Sequence, residues 1–358
     1  MPLRHFQATN FRCLTNISLE VDSQYNLVYG DNASGKTSIL EAIAYLGRGK
    51  SFRGARLQNL IYHGAAEFLL FGKIDTGTRL ATMGIRSSKV GTELKIDGDR
   101  QRSAAALVEM LPLQIVDPEV HNLVVGGPEQ RRRYLDWIAF HVERDYRECW
   151  RRFCRALRQR NAALKQAANS RASIIAWDQE FLEAAEQVDQ IRRHVLELAH
   201  ITLQETGATL LGCAVDFEYL QGWASQQSLE EALAISWERD CQTGTTSAGP
   251  QRAELRLIYD KRRAKYLVSR GQQKLLACAM IFAATEIVQT TLQRPLLLLL
   301  DDPAAELDEE ALDRLMKCVF ELRSQIIATA LGEKTLQFPV SPALFHVEQG
   351  RVQIKSNL

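Results

Sequence analysis

The sequence predicts an α/β fold in which a mixed sheet and an antiparallel sheet form a head and a helical hairpin lobe is inserted into it. Three observations predict this. A glycine-punctuated loop separates a short apolar strand from a helix near the N terminus, and a run of five leucines, Leu296 to Leu300, shows no alternation. Between them lie long, charged segments without glycine. An apolar strand that does not alternate belongs in a parallel sheet covered on both faces. At roughly 150 residues per domain, 358 residues allow two domains. The change of character along the chain places the head at 1–117 and 208–358 and the inserted basic helical lobe at 118–207.

In chain order, Tyr25 to Tyr29 reads as a strand, Gly30 to Gly35 as a loop, and Thr37 to Leu46 as a helix, the opening of an α/β unit. Phe68 to Phe71, Leu80 to Met83 and Thr92 to Asp97 are short runs divided by turns, which suits an antiparallel sheet. From Pro128 the spacing predicts one helical stretch to about Lys165 and a second from about Ile174 to Glu205, joined by a turn at Ala168 to Ser173. In the second stretch Phe181, Ala184, Val188, Ile191, Val195, Leu198, Ile201 and Thr202 recur every three or four residues, a stripe for a neighbouring helix. Strand-like residues return at Ala214 to Tyr219. A helix, the leucine strand, another helix and a strand at Gln325 to Thr329 follow.

Gly30-Asp31-Asn32-Ala33-Ser34-Gly35-Lys36-Thr37 matches G-x-x-x-x-G-K-[ST] between strand and helix, the context this phosphate-binding loop needs. Glycines let the backbone curl so that successive N–H groups and the helix N-terminus face phosphate oxygens. Lys36 then reaches the β and γ oxygens, and the Thr37 hydroxyl is a ligand for Mg²⁺. The apolar strand ends in Asp301 and Asp302. Asp301 is placed to hold the metal, and Asp302 to orient and deprotonate an attacking water. Ser269-Arg270-Gly271-Gln272 opens a helix about 30 residues before Asp301, with donors suited to a phosphate. Glu306-Leu307-Asp308 follows the acidic pair.

This order of motifs resembles ABC-type ATPases of the chromosome-maintenance (SMC) branch and, more closely, the RecF family of bacterial DNA replication and repair proteins. Asn10-Phe11-Arg12, Lys50 to Arg53, Gly127-Pro-Glu-Gln-Arg-Arg-Arg-Tyr-Leu-Asp136 and Gly249-Pro-Gln-Arg252 extend the resemblance over nearly the whole chain. It implies an ABC-type P-loop ATPase head that binds ATP and Mg²⁺ through residues 30–37 and Ser38, with Arg12 near the base and ribose. Ser269, Gly271 and Gln272 of a second copy would cap the γ-phosphate, so that ATP holds a head-to-head homodimer. Asp308 would lie at that seam and Thr329 would sense the γ-phosphate. The resemblance further implies a weak ATPase acting as a switch on duplex, gapped or junction DNA, with the mediator proteins RecR and RecO as partners at single-strand gaps.

The sequence departs from the family pattern at Ala33, where a glycine is usual and only a negative φ makes alanine tolerable. Gln251 and Ala305 replace a histidine and a serine, and Asp302 stands where transporter ATPases carry glutamate. A non-hydrolysing ATP-gated scaffold and a transporter-type ATPase subunit are the other readings.

Forty-four Lys and Arg against 43 Asp and Glu leave a net charge of +1, so nucleic-acid contact requires a local patch. Residues 131–165 hold eleven cations and four acids. Arg144, Arg147, Arg151, Arg155 and Arg158 recur along one helix face that could track a phosphate backbone or could be a solvated face. Arg131, Arg132 and Arg133 could touch DNA or pair with acids of the head. Seven scattered cysteines without C-x-x-C argue against a disulfide framework and a zinc site, and point to free thiols in a cytoplasmic protein. The N terminus lacks the apolar core of an export signal, and no membrane insertion is expected.

Overall fold

The computed structural model describes residues 2–21, 24–165, 171–266 and 268–355. In chain order it contains β1 (Leu3–Phe11), β2 (Leu14–Glu20), β3 (Tyr25–Tyr29), α1 (Lys36–Arg48), β4 (Glu67–Asp75), β5 (Leu80–Ser88), β6 (Gly91–Ile96), β7 (Asp99–Gln101), α2 (Ala105–Met110) and β8 (Leu113–Val116). Next come α3 (Asn122–Val125), α4 (Pro128–Val142), α5 (Tyr146–Lys165), α6 (Arg171–Leu211), β9 (Val215–Leu220), α7 (Leu229–Thr243), β10 (Glu254–Tyr259), β11 (Arg262–Arg263) and α8 (Arg270–Leu292). The chain closes with β12 (Leu297–Leu300), α9 (Glu309–Glu321), β13 (Gln325–Ala330), β14 (Ala343–Glu348) and β15 (Arg351–Lys355).

Two compact units result, Met1–Val120 with Gln293–Leu358, and His121–Leu292. Residues 208–292 therefore pack in the same unit as the long helices, whereas composition alone had grouped them with the head. The first unit holds two six-stranded sheets, ordered β2-β1-β4-β5-β6-β7 and β15-β14-β3-β13-β12-β8. The first is antiparallel throughout, and in the second only β15 runs antiparallel. One core serves both. Ile39, Leu40, Ile43 and Leu46 of α1 share a cluster with Phe6, Phe11 and Phe68 of the antiparallel sheet and with Leu297, Leu299 and Ile327 of the parallel one. Phe11, Tyr45 and Phe68 meet edge to face. Burial on both faces explains why the leucine strand need not alternate.

In the second unit α8 is the core helix. It is long and apolar enough to cross a membrane by length and composition, and 67% of its most apolar window is buried inside the structure. The helical stretch expected from Pro128 to Lys165 breaks at residues 143–145 into α4 and α5. Of the turn expected at Ala168 to Ser173, residues 168–170 lie outside the described residues, and Arg171 to Ser173 are instead the start of α6. Phe181, Ala184, Val188 and Val195 of the apolar stripe are buried, while Leu198 and Ile201 are 43% and 66% exposed. The stripe turns out of the contact before the helix ends.

Buried arginines fasten this unit. Arg160, fully buried, donates to Asp178 (2.7 Å), Asp240 (3.1 Å) and Thr246 (2.8 Å), joining α5, α6, α7 and the loop after α7. Arg192 donates to Asp136 (2.9 Å) and to the Pro250 carbonyl (2.7 Å). Removing one partner of a buried charge pair strands the other, at about 3–5 kcal/mol. Arg160→Met is accordingly expected to lower unfolding free energy by about that amount, because Asp240 is itself fully buried. Urea titration of the purified variant checks this, and a loss below about 1 kcal/mol would show the network to be dispensable.

Candidate nucleotide site

The phosphate-binding loop joins the carboxyl end of β3 to α1. Gly30 has φ 151° and a Cβ there would lie 2.2 Å from the Val347 carbonyl oxygen, so no other residue fits. Gly35 caps α1 at φ 115°, and no side chain caps that helix. Its first amides are therefore open to an anion. Ala33 has φ 63°, contrary to the negative value expected of an alanine there. The left-handed conformation costs roughly 1–2 kcal/mol for a residue with a Cβ, a cost lodged in an exposed loop position. Asp31 and Asn32 are likewise exposed. Ser34 is buried, with its carbonyl accepting from the Gly350 amide at 2.8 Å. Ser38 Oγ accepts from the Cys13 thiol at 3.4 Å.

Lys36 Nζ donates to the carbonyls of Gly30 (2.6 Å) and Asp31 (2.7 Å), which holds the ammonium inside the loop's curl. Burial lowers its pKa against the opposing pull of Asp302, Asp301 and Asp31. Asp301, 4% exposed, sits where three elements meet. Its Oδ1 accepts from Thr37 Oγ1 at 3.0 Å and from Thr329 Oγ1 at 2.8 Å. Burial pushes the Asp301 carboxyl up, and these two hydrogen bonds pull against it. Asp302 follows at φ 48°, its amide donating to Thr329 Oγ1 at 2.9 Å. Thr37, Asp301, Asp302 and Thr329, expected at one site from distant parts of the sequence, are thus brought together. Hydroxyl and carboxylate oxygens side by side are the hard donors that Mg²⁺ takes.

Arg12, expected near the base and ribose, is held by α1. It has φ 55°, and its guanidinium grips the fully buried Glu41 of α1 at 2.8 and 2.9 Å, with a third bond to the Asn59 carbonyl. Asp308 is the N-cap of α9, accepting from the Ala311 amide at 2.8 Å. Ser269 and Gln272 lie in the second unit and form a reciprocal cap on α8. The Ser269 amide donates to Gln272 Oε1 at 2.9 Å, and the Gln272 amide donates to Ser269 Oγ at 3.3 Å. Ser269 and Arg270 are exposed, and Gly271 is partly so.

Comparison with known proteins fits this arrangement. The family described as RecF/RecN/SMC N terminal domain matches residues 2–353. The DNA replication and repair protein RecF of Pseudomonas putida is 38% identical, with 98% of each chain covered, and that of Pseudomonas syringae pv. syringae is 37% identical over the same shares. The chain belongs to the RecF family. A solved structure of the recombination mediator protein RecF of the RecFOR pathway, in its RecF-ATP form, has a TM-score of 0.89 at 23% identity, covering 99% of this chain and 98% of that one. An Smc head domain bound to the C-terminal domain of ScpA, derived from Pyrococcus furiosus, has a TM-score of 0.63 at 16% identity, covering 99% and 96%. This RecF-family chain therefore has the α/β head fold of RecF and SMC proteins.

The RecF-family chain treats its six candidate DNA-binding arginines in three ways. Arg131 is 5% exposed, donating to both Glu254 oxygens (2.8 and 3.0 Å) and to the carbonyls of Leu123, Val124 and Gly126. With its donors used internally it cannot reach DNA, and it is a structural residue of the second unit. Arg132 is partly buried on the Ala253 carbonyl at 2.8 Å. Arg133, Arg151, Arg155 and Arg158 are exposed, although Arg133 pairs with Glu129 and Arg151 with Glu148.

Sequence reasoning passed over Asp117, which follows β8 in the parallel sheet. The Asp301 amide donates to the Val116 carbonyl at 2.8 Å, so Asp117 and Asp301 leave neighbouring strands together. Burial and the Asp301 charge raise the Asp117 pKa from 3.8 to about 6, opposed by Arg48. A carboxyl with a raised folded pKa binds its proton more tightly folded than unfolded, so stability falls as pH rises through the interval. Asp117→Asn should abolish that fall between pH 3.8 and about 6 and leave the variant more stable than wild type at pH 7. Chemical denaturation across the range checks the sign, and parallel pH profiles would refute the assignment.

Proposed function

We propose that this RecF-family chain is an ATP-dependent DNA-binding protein of recombinational repair and replication restart. The observation that carries the reading is the Thr37–Asp301–Thr329 hydrogen-bonded set beneath an α1 N-terminus that no side chain caps. Gly30 to Ser38 would receive the triphosphate, with the amides of the first turn of α1 and the Lys36 ammonium facing its oxygens. Thr37 and Asp301 would hold Mg²⁺, which when bound neutralises charge between the β and γ oxygens. Asp302 follows Asp301 on a backbone pinned by Thr329, a position suited to orienting a water. Thr329 bonds both aspartates' groups and so is placed to respond to the state of the γ-phosphate.

Ser269, Gly271 and Gln272 face solvent at least in part, on the N-terminal turn of α8. In the proposal they cap the nucleotide of a second copy, so that MgATP drives head-to-head dimerisation on duplex or gapped DNA. Whatever binds the dimer but not the monomer then shifts the equilibrium by mass action. Hydrolysis is slow and resets the switch, and RecR and RecO receive the ATP state in the cytoplasm to load recombinase at single-strand gaps.

Light scattering with and without MgATP and a gapped duplex tests this. Wild type should double its mass only with MgATP. Ser269→Arg should stay monomeric while still binding nucleotide, since the altered residue lies outside the unit that carries the loop. A wild-type mass indifferent to nucleotide would end the reading. A MgATP dimer with no turnover, with or without DNA, would favour a non-hydrolysing scaffold.

A further inference from the structure

The exposed cations of the second unit are unevenly compensated. Several cations along the helices have acidic neighbours: Arg133 pairs with Glu129, Arg151 with Glu148, and the partly buried Arg152 with Glu180 and Glu183, while Arg158 donates to the Cys154 carbonyl of its own helix. The β10–β11 hairpin concentrates unpaired cations in one short segment. Lys261, Arg262, Arg263 and Lys265 are all exposed, and among the described residues their side chains have no hydrogen bond or ion pair. They make four cations and no acid over residues 261–265, in a chain whose net charge is +1.

The hairpin is held in a defined shape. Asp260 and Lys261 form its turn with φ of 45° and 63°, two successive left-handed residues without glycine. Such a turn suits the right-handed twist of paired strands, at the cost of crowding each Cβ. It is also tied to the Ser269 region. Gln272, whose amide donates to Ser269 Oγ, donates through Nε2 to the hydroxyl of Tyr259 at 3.2 Å, and Tyr259 is the last residue of β10.

We propose that the Lys261–Lys265 hairpin is a contact for the phosphate backbone of DNA, linked by Tyr259 and Gln272 to the cap at Ser269. The inference rests on the reading of the chain as a DNA-binding protein. Exposed cations lacking carboxylate partners give up no ion pair when they meet phosphate, whereas Arg151 must first release Glu148. Arginine forks match phosphate oxygens bidentately. Contacts of this kind fix position and carry no base sequence. A DNA strand on the hairpin would restrain Tyr259, and through Gln272 the residue that shares the α8 cap.

The test is fluorescence anisotropy of a labelled duplex with MgATP over a salt series, using full-length wild type, Arg262→Ala/Arg263→Ala and Arg262→Lys/Arg263→Lys. The alanine pair should weaken binding about tenfold or more near physiological salt and flatten the log–log salt slope by about 2, since each phosphate contact contributes roughly 0.9. The lysine pair should keep the slope, and nucleotide affinity without DNA should be unchanged in both. Tyr259→Phe should keep DNA affinity but lose its enhancement by MgATP. Wild-type affinity and slope in the alanine pair would overturn the contact, and intact enhancement in Tyr259→Phe would overturn the link. A fall in nucleotide affinity without DNA would assign the cations to nucleotide phosphates instead. If wild type binds no duplex in any nucleotide state, the DNA reading beneath the inference fails, a result distinct from failure of the hairpin alone.

Discussion

Asp301 is a carboxylate taken almost wholly out of water, and much of the first unit is arranged so that it can stand there. Its two threonine partners come from opposite directions, Thr37 from the first turn of α1 and Thr329 from β13. The parallel register brings them to the same height. Leu300 lies beside Ala328 on one side and Val116 on the other, so the next residues along, Asp301, Thr329 and Asp117, emerge together at the carboxyl ends of their strands. β12 and β13 are buried along their lengths, and a slip of one residue would carry Asp301 out of line with Thr329 and pull the site apart. Hydrogen bonds to a charged group are worth about 1.5–3 kcal/mol each, yet burial still holds the Asp301 pKa above its ordinary value. The threonines offset the loss of water only in part. A cation held by Thr37 and Asp301, as in the proposed function, would offset the remainder.

The arginines show what spacing can and cannot reveal. Eleven cations between residues 131 and 165 looked like one basic surface, and the structure divides them. Arg160 falls on the same helical stripe as Cys149, Phe153, Ala156 and Leu164, all buried. Arg192 falls likewise among Ala185, Val188, Val195 and Leu196. An arginine on an apolar stripe is a legible signal of a buried ion pair, because a side chain there faces the core whatever its charge. Its partners were not legible. Asp240 and Thr246 are about 80 residues away from Arg160, and only tertiary packing joins them.

The loop and the acidic strand end that the structure brings together were legible because each is a local pattern. A phosphate loop is a run of eight residues between a strand and a helix, and an acid ending an apolar strand is a local pattern too. What the sequence left out were long-range contacts. Glu41, fully buried on α1, needs a cation to be tolerated there, and Arg12, just after β1, supplies it, a pairing that no local pattern announces. Ala33 was expected at negative φ on intrinsic preference. The loop needs a left-handed residue between Asn32 and Ser34, and the surrounding anchors, including the Gly350 amide on the Ser34 carbonyl, outweigh that preference. Local propensity yields to tertiary constraint where the constraint is denser.

The three helices whose N-termini carry candidate site residues, α1 and α9 in the first unit and α8 in the second, differ there in a way that bears on their roles. Asp308 spends its carboxylate on the α9 amides, which suits a structural terminus. At α1 a glycine stands at the cap and leaves the amides to whatever anion arrives. At α8 the cap is Ser269, and a hydroxyl has two faces: its oxygen accepts from the Gln272 amide while its hydrogen remains free to donate elsewhere. Capping its own helix and donating to an external phosphate are therefore compatible for serine and incompatible for aspartate, whose charge would repel the phosphate. Gln272 completes the logic. As the reciprocal partner it holds the Ser269 amide with Oε1 and Tyr259 with Nε2, so the orientation of the cap is tied to the hairpin beside it and not to α8 alone.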